Sequence, residues 1–169
     1  FPAALLPETG RKDTLELSFP RRGAYFRIGT AGSTNLSRGS SINRAHVSEF
    51  AHGADPIGFL GALEPATESI EGKVIILETT ASGFGSAPHE MWRLCVKGKS
   101  LYVPVFIPWW ECRPLDYRLP LEAPDELGTL EPDERALVEH HGLTLEQIKW
   151  RRPRMMGAGG RSLFWTEYA

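Results

Sequence analysis

Ala45-His46-Val47-Ser48-Glu49-Phe50-Ala51 and the later run Lys73-Val74-Ile75-Ile76-Leu77-Glu78-Thr79-Thr80-Ala81-Ser82-Gly83 decide the fold class of this chain. Each passes from a short apolar stretch straight into polar residues. A buried parallel strand has this form where it delivers side chains to a site at its carboxyl end. Between the two, Asp55-Pro56 offers a cap oxygen and a proline at the first helical position, ahead of Ile57, Leu60 and Leu63 on one face. Strand, helix and strand in this order predict a crossover unit. Its second strand, Val74 to Leu77, is apolar on both faces and is expected at the centre of a sheet.

Working outward, Thr14 to Phe19 alternates with Leu15, Leu17 and Phe19 on one side, turns at Pro20-Arg21-Arg22-Gly23 and returns through Ala24 to Ile28. This predicts a hairpin with one buried face. Gly29 to Asn43 is rich in Gly, Ser, Thr and Asn and reads as a loop before a strand from Ala45 to Phe50. Pro88 to Val96 reads as a helix, preceded by a tight turn at Gly83-Phe84-Gly85, and Leu101 to Ile107 as a further strand. Pro104 donates no ladder hydrogen bond, so that strand belongs at an edge or a bulge. Residues 113–129 predict a surface connection and 130–169 a terminal helical segment. In it, one helix runs from about Pro132 to His141 and stops at Gly142, and a second opens on the capping box Thr144-Leu145-Glu146-Gln147. The fold class expected is α/β, a mostly parallel sheet with flanking helices and an N-terminal β-hairpin, with 1–169 as a single domain.

The chain has 169 residues, 41% of them hydrophobic and 24% charged, which suits a globular piece with a real core. Its longest apolar run lies within Tyr102 to Trp110, far short of the roughly 20 residues of a spanning helix. The formal charge of −2 lacks the basic footprint of an autonomous nucleic-acid binder, so any DNA contact must be local or shared between copies. Cys95 and Cys112 have neither zinc-type spacing nor a disulfide framework, and a reduced, cytoplasmic setting is expected.

Several segments, in order along the chain, resemble the large subunit of the viral terminase, the motor that pumps DNA into phage procapsids. They are Gly29-Thr30-Ala31-Gly32, Ser37-Arg38-Gly39, His46-Val47-Ser48-Glu49, Glu78-Thr79-Thr80-Ala81-Ser82-Gly83, Tyr102-Val103-Pro104-Val105-Phe106-Ile107-Pro108-Trp109-Trp110 and Phe164-Trp165-Thr166-Glu167-Tyr168. The resemblance implies a partial RecA-like, P-loop NTPase-type fold. It implies ATP and Mg²⁺ as cofactors of the complete protein, and double-stranded DNA, a portal protein and a small terminase subunit as its partners. A homo-oligomeric motor in the host bacterial cytoplasm is implied as well.

The resemblance places the catalytic glutamate at Glu49 and the nucleotide or metal shell at Ser48. It places a hydroxyl pair that couples nucleotide state to movement at Thr79 and Thr80. Hydrolysis of a phosphoanhydride needs a carboxylate to orient or deprotonate water, which is the role expected of Glu49. Two departures matter. No Gly-x-x-x-x-Gly-Lys-Ser/Thr loop occurs, so no cofactor is expected for this chain alone. Ser48 stands where the family carries an aspartate, and a hydroxyl brings no charge to a metal shell. The chain, running from Phe1 to Ala169, is therefore expected to be the second half of a motor domain, either a piece of a longer protein or a truncated prophage copy. The competing expectation is an inactive remnant or interaction module.

Arg38 lies in the polar loop, where a guanidinium can reach phosphate or DNA or simply be solvated. Lys149, Arg151, Arg152 and Arg154, with Trp150 among them, suit either a nucleic-acid backbone or the solvated end of a helix. His46, Glu49 and His52 have the residue types of a metal set. Their three-residue spacing suits a helix, whereas Val47 and Phe50-Ala51 fit a strand and its exit.

Overall fold

A computed structural model gives the structure of residues 7–30, 41–67, 71–112, 117–157 and 159–168. The chain divides into two compact units, Phe1–Glu78 and Thr79–Ala169. No change of composition marks this boundary, because the strand that ends the first unit runs without a linker into the loop that begins the second.

In the first unit β1 (Glu16–Phe19) pairs antiparallel with β2 (Ala24–Arg27), with Glu16 opposite Arg27. Gly23, at φ 57°, closes the turn by donating its N–H to the Pro20 carbonyl at 3.1 Å, a left-handed conformation that glycine adopts without steric cost. The facing pair is tied by Arg27 Nε to Glu16 Oε2 at 2.7 Å. The hairpin forms as expected but its one-sided burial does not: β1 is half-buried along its whole length and β2 is exposed. A lone two-stranded ribbon has no second layer to bury a face against.

β3 (Arg44–Val47) pairs in parallel with β4 (Val74–Leu77), Arg44 opposite Val74 and Val47 opposite Leu77. The crossover is α1 (Pro56–Thr67). Asp55 starts it by accepting the Gly58 N–H on its carboxylate at 2.9 Å. Leu60, Leu63 and Thr67 of α1 are buried, as are Val47 and Phe50, and these form the core of the unit. Among the described residues β4 bonds to β3 alone, and Val74 and Ile76 are exposed, so the central position expected for it is not found.

In the second unit α2 (Ala87–Val96) begins where the Ser86 hydroxyl accepts the His89 N–H, after Gly83 and Gly85 turn the chain at φ 93° and 78°. The strand expected over Leu101–Ile107 is absent: the segment joins no ladder, and Leu101, Val103, Val105 and Ile107 are exposed. Pro104 and Pro108 remove donors on both sides of Val105, and the described residues of this unit include no strand for it to pair with. Residues 117–129 are irregular and mostly exposed, as expected of a connection; 113–116 lie outside the described residues.

The packed part of the unit is helical. α3 (Pro132–His141) ends at Gly142, α4 (Leu145–Met156) follows at once, and α5 (Gly160–Tyr168) packs on α4. Gln147 accepts the Thr144 N–H at 2.9 Å, the return bond of the expected capping box, and donates to the Trp110 carbonyl at 3.3 Å. Trp109 and Trp150 stack with ring centroids 5.0 Å apart, enclosed by Leu143, Ile148 and Phe164. The architecture is thus mixed α/β, and the described residues form two small sheets, one an antiparallel pair and one a parallel pair, where a mostly parallel sheet was expected. Among the described residues no helix is long and apolar enough to cross a membrane.

Glu134, buried at 3% exposure, receives both arms of Arg152, Nε on Oε1 and Nη2 on Oε2, each at 2.8 Å. Arg151, equally buried, bonds Asp133 at 2.7 Å. The Arg152 fork holds the Glu134 carboxyl below its usual range, and Arg151 does the same to Asp133. A carboxyl held low when folded contributes stability above its unfolded pKa and loses it as the pH falls. The second unit should therefore be fully stable above about pH 5 and weaken progressively below about pH 4. Removing one partner leaves the other charge stranded, so Arg152→Ala is expected to cost about 3 kcal/mol at neutral pH. All five tryptophans lie in this unit, so urea unfolding followed by tryptophan fluorescence measures both effects. A cost below about 1 kcal/mol would mean the pair is no more than an ordinary surface contact.

Candidate functional site

The parallel ladder ends on an irregularity. The N–H of Glu78 donates to the Val47 carbonyl at 2.9 Å, as a regular register requires. The Glu78 carbonyl then accepts from Phe50 at 3.0 Å, where a regular ladder would use residue 49. One extra residue is thus fitted into β3's exit opposite Glu78, which makes a bulge of Ser48 and Glu49. Glu49 sits at φ 52°, ψ 40°, left-handed backbone that a side chain adopts at a cost of about 1–2 kcal/mol. Directly after it Phe50–His52 forms a 3₁₀ turn with Phe50 buried.

The bulge leaves the side chains of Ser48 and Glu49 exposed at the carboxyl end of the β3–β4 pair. His52 Nε2 lies 3.8 Å from Glu49 Oε2. His46 Nε2 meets Glu78 Oε2 at 3.0 Å across the two strands. The sequence reading missed this last pair. Its signal is alternation: once Val47 is set opposite Leu77, residues 46 and 78 fall on one face of the sheet, two steps apart.

Thr79 and Thr80 follow Glu78 directly and open the second unit, where the Thr79 hydroxyl donates to the Thr80 carbonyl at 2.9 Å. Arg38 lies outside the described residues. The basic cluster of α4 is engaged within its own unit. Lys149 donates to the Pro120 carbonyl at 2.8 Å and pairs with Glu126, Arg151 and Arg152 hold Asp133 and Glu134, and Arg154 lies over the Trp150 ring at 3.9 Å. At Lys149, Arg151 and Arg152 a phosphate would have to displace a carboxylate, whereas Arg154 bonds only the Trp150 carbonyl. Among the described residues, no three His, Cys, Asp or Glu side chains are placed to hold a metal ion together, and the His46, Glu49, His52 set is no exception.

A separate cleft of about 680 Å³ in the second unit is lined by Trp110, Glu111, Arg118, His141, Thr144 and Gln147. Trp110 and His141 face each other there at 4.9 Å between ring centroids. None of the residues singled out in the sequence for catalysis or coupling lines it.

The strain at Glu49 has a measurable consequence. Glycine takes the left-handed conformation freely, whereas alanine keeps the steric cost. Glu49→Gly should therefore leave the first unit about 1 kcal/mol more stable than Glu49→Ala, the reverse of the usual order in a regular element. Thermal unfolding of the two variants by circular dichroism and by exchange of the α1 amides decides this; alanine as the more stable variant would show that the bulge carries no strain. No family model, curated protein or solved structure matches the chain.

Proposed function

We propose that the chain is the second half of the motor ATPase domain of a terminase large subunit, with Glu49 as its catalytic glutamate. The observation that carries this reading is the bulge, which sets a strained, exposed carboxylate just past the carboxyl end of one of two adjacent parallel strands. Open parallel sheets hold their sites at this end, and bulges recur beside active sites because they re-aim a side chain.

In this reading the Glu49 carboxylate accepts a hydrogen bond from water and orients or deprotonates it for attack on the terminal phosphoryl group of ATP. Ser48 lies beside it, and its hydroxyl would offer a hydrogen bond to water on a bound metal but no charge. Among the described residues the donor set does not by itself make a magnesium site. In a complete motor, Mg²⁺ and a phosphate loop from elsewhere in the parent would supply the charge neutralisation that these residues do not. Thr79 and Thr80, at the exit of β4, couple nucleotide state to movement of double-stranded DNA in a homo-oligomer that works with portal and small terminase subunits in the host cytoplasm.

A second reading rests on Ser48. With serine in place of the acidic residue, and no phosphate loop in the sequence, the same fold serves as an inactive remnant or interaction module. An upstream phosphate loop in the same reading frame distinguishes the two.

The isolated 169-residue chain is expected to bind ATP no more tightly than about millimolar, because it lacks the backbone cradle and lysine that hold the phosphates. Calorimetry giving micromolar affinity would overturn that. In a longer parent carrying the phosphate loop, Glu49→Gln should leave ATP binding nearly intact while turnover falls by roughly two orders of magnitude or more. Ser48→Ala should do less. Near-normal turnover in Glu49→Gln would remove Glu49 from the catalytic role.

A further inference from the structure

We propose that Glu78, clamped by His46, is a positioning residue that fixes the bulge carrying Glu49; the inference rests on the catalytic role proposed for Glu49. Glu78 touches the β3 chain three times. Its N–H bonds Val47, its carbonyl bonds Phe50, and its carboxylate meets His46 Nε2 at 3.0 Å. Ser48 and Glu49 are the two residues spanned by the backbone bonds. The extra residue of the bulge is therefore measured against Glu78 alone.

The side-chain pair is poorly suited to a stabilising role. Both side chains are more than half exposed, and an exposed pair shifts a folding equilibrium by at most about fivefold. Its geometric role is larger. The carboxylate is anchored on the strand that enters the bulge, so Glu78 is held from the side chain as well as from the two backbone bonds. A residue fixed at three points has little freedom to rotate its carbonyl away from Phe50, and that bond, together with the burial of Phe50, keeps Glu49 left-handed. Thr79 follows Glu78 at the exit of β4 without a spacer, so a displacement of Thr79 reaches Glu78 before it reaches β3. From Glu78 the Phe50 rung leads to the residue next to Glu49, and the clamp holds the residue that makes that rung.

The test uses the 169-residue chain, by NMR, with His46→Ala, Glu78→Ala, Glu78→Gln and the double alanine variant. The readouts are the exchange rate of the Phe50 amide and the backbone coupling constant and Cα shift of Glu49, with the Leu63 amide as a measure of global opening. Each single alanine variant should speed Phe50 exchange by about fivefold and move Glu49 away from its left-handed values. The double variant should add little, Glu78→Gln should retain most of the protection, and Leu63 should not change. Unchanged Phe50 and Glu49 signals, or equal acceleration at Leu63, would overturn the proposal. In a longer active parent, His46→Ala should lower kcat by roughly tenfold with KM unchanged. An unchanged kcat there, in a parent that Glu49→Gln inactivates, refutes the positioning role. A parent that Glu49→Gln leaves active refutes the catalytic assignment instead, and the exchange data still stand or fall by themselves.

Discussion

The last two rungs of the parallel ladder, Glu78 N–H to Val47 and Phe50 N–H to the Glu78 carbonyl, are the constraint on which the first unit's site depends. They determine that β3 contributes one more residue than β4 at the carboxyl edge, and the surplus has to be absorbed by a left-handed backbone. That residue is a glutamate, so its carboxylate stands out of the sheet at an angle that regular strand alternation would not produce. The crossover makes the rungs possible. Asp55 starts α1, Leu60 and Leu63 bury its face, and Ile42 N–H bonds the Ala66 carbonyl at 3.0 Å, returning the chain to the start of β3.

The second unit is organised on a different principle. Its charged residues do inside the protein what a sequence assigns to solvent. Asp133 and Glu134 at the start of α3 face Arg151 and Arg152 of α4, so each helix supplies the other's counter-charge, and Arg152 also reaches the Leu127 carbonyl at 2.7 Å. The two acidic groups also sit in the first turn of α3, where the helix dipole favours negative charge. The basic run Lys149 to Arg154 thus has partners within its own unit, with aromatic company. Trp150 stacks on Trp109, while Arg154 lies over its ring. A count of charges along the helix cannot distinguish this from a nucleic-acid surface, because the distinguishing carboxylates lie 18 residues away in sequence.

Local signals were legible where the residues concerned are neighbours in sequence. The capping residues Asp55 and Thr144, the stop at Gly142, the turn at Gly23 and the bounds of α3 all follow from chemistry within a few positions. Even the parallel pairing of β3 with β4 was readable, since two apolar runs ending in polar residues and joined by one helix have few other arrangements. Non-local quantities were not. Val74-Ile75-Ile76-Leu77 reads as a central strand because its composition suits burial on both faces, yet burial depends on what arrives to cover it. Leu101 to Ile107 carries strand composition, but a strand exists only with a partner. The bulge was hidden for a related reason: Ser48-Glu49-Phe50 is unremarkable until Phe50 is known to be buried.

Phe50 is the residue that holds Glu49 strained. Burying a phenylalanine contributes roughly 1.5–3 kcal/mol, and left-handed backbone at a non-glycine residue costs about 1–2 kcal/mol. The regular register would relieve the strain but would turn Phe50 by one position, and a shift of one position sends a side chain to the opposite face. The first term is the larger, so the chain keeps Phe50 in the core, at 5% exposure, and accepts the conformation at Glu49. Backbone strain persists only where its surroundings over-determine it, and here the anchors are the burial of Phe50 and one rung to Glu78 on either side of Ser48 and Glu49. The two terms are close in size, so losing the Glu78 rung to Phe50 would let the strain at Glu49 relax.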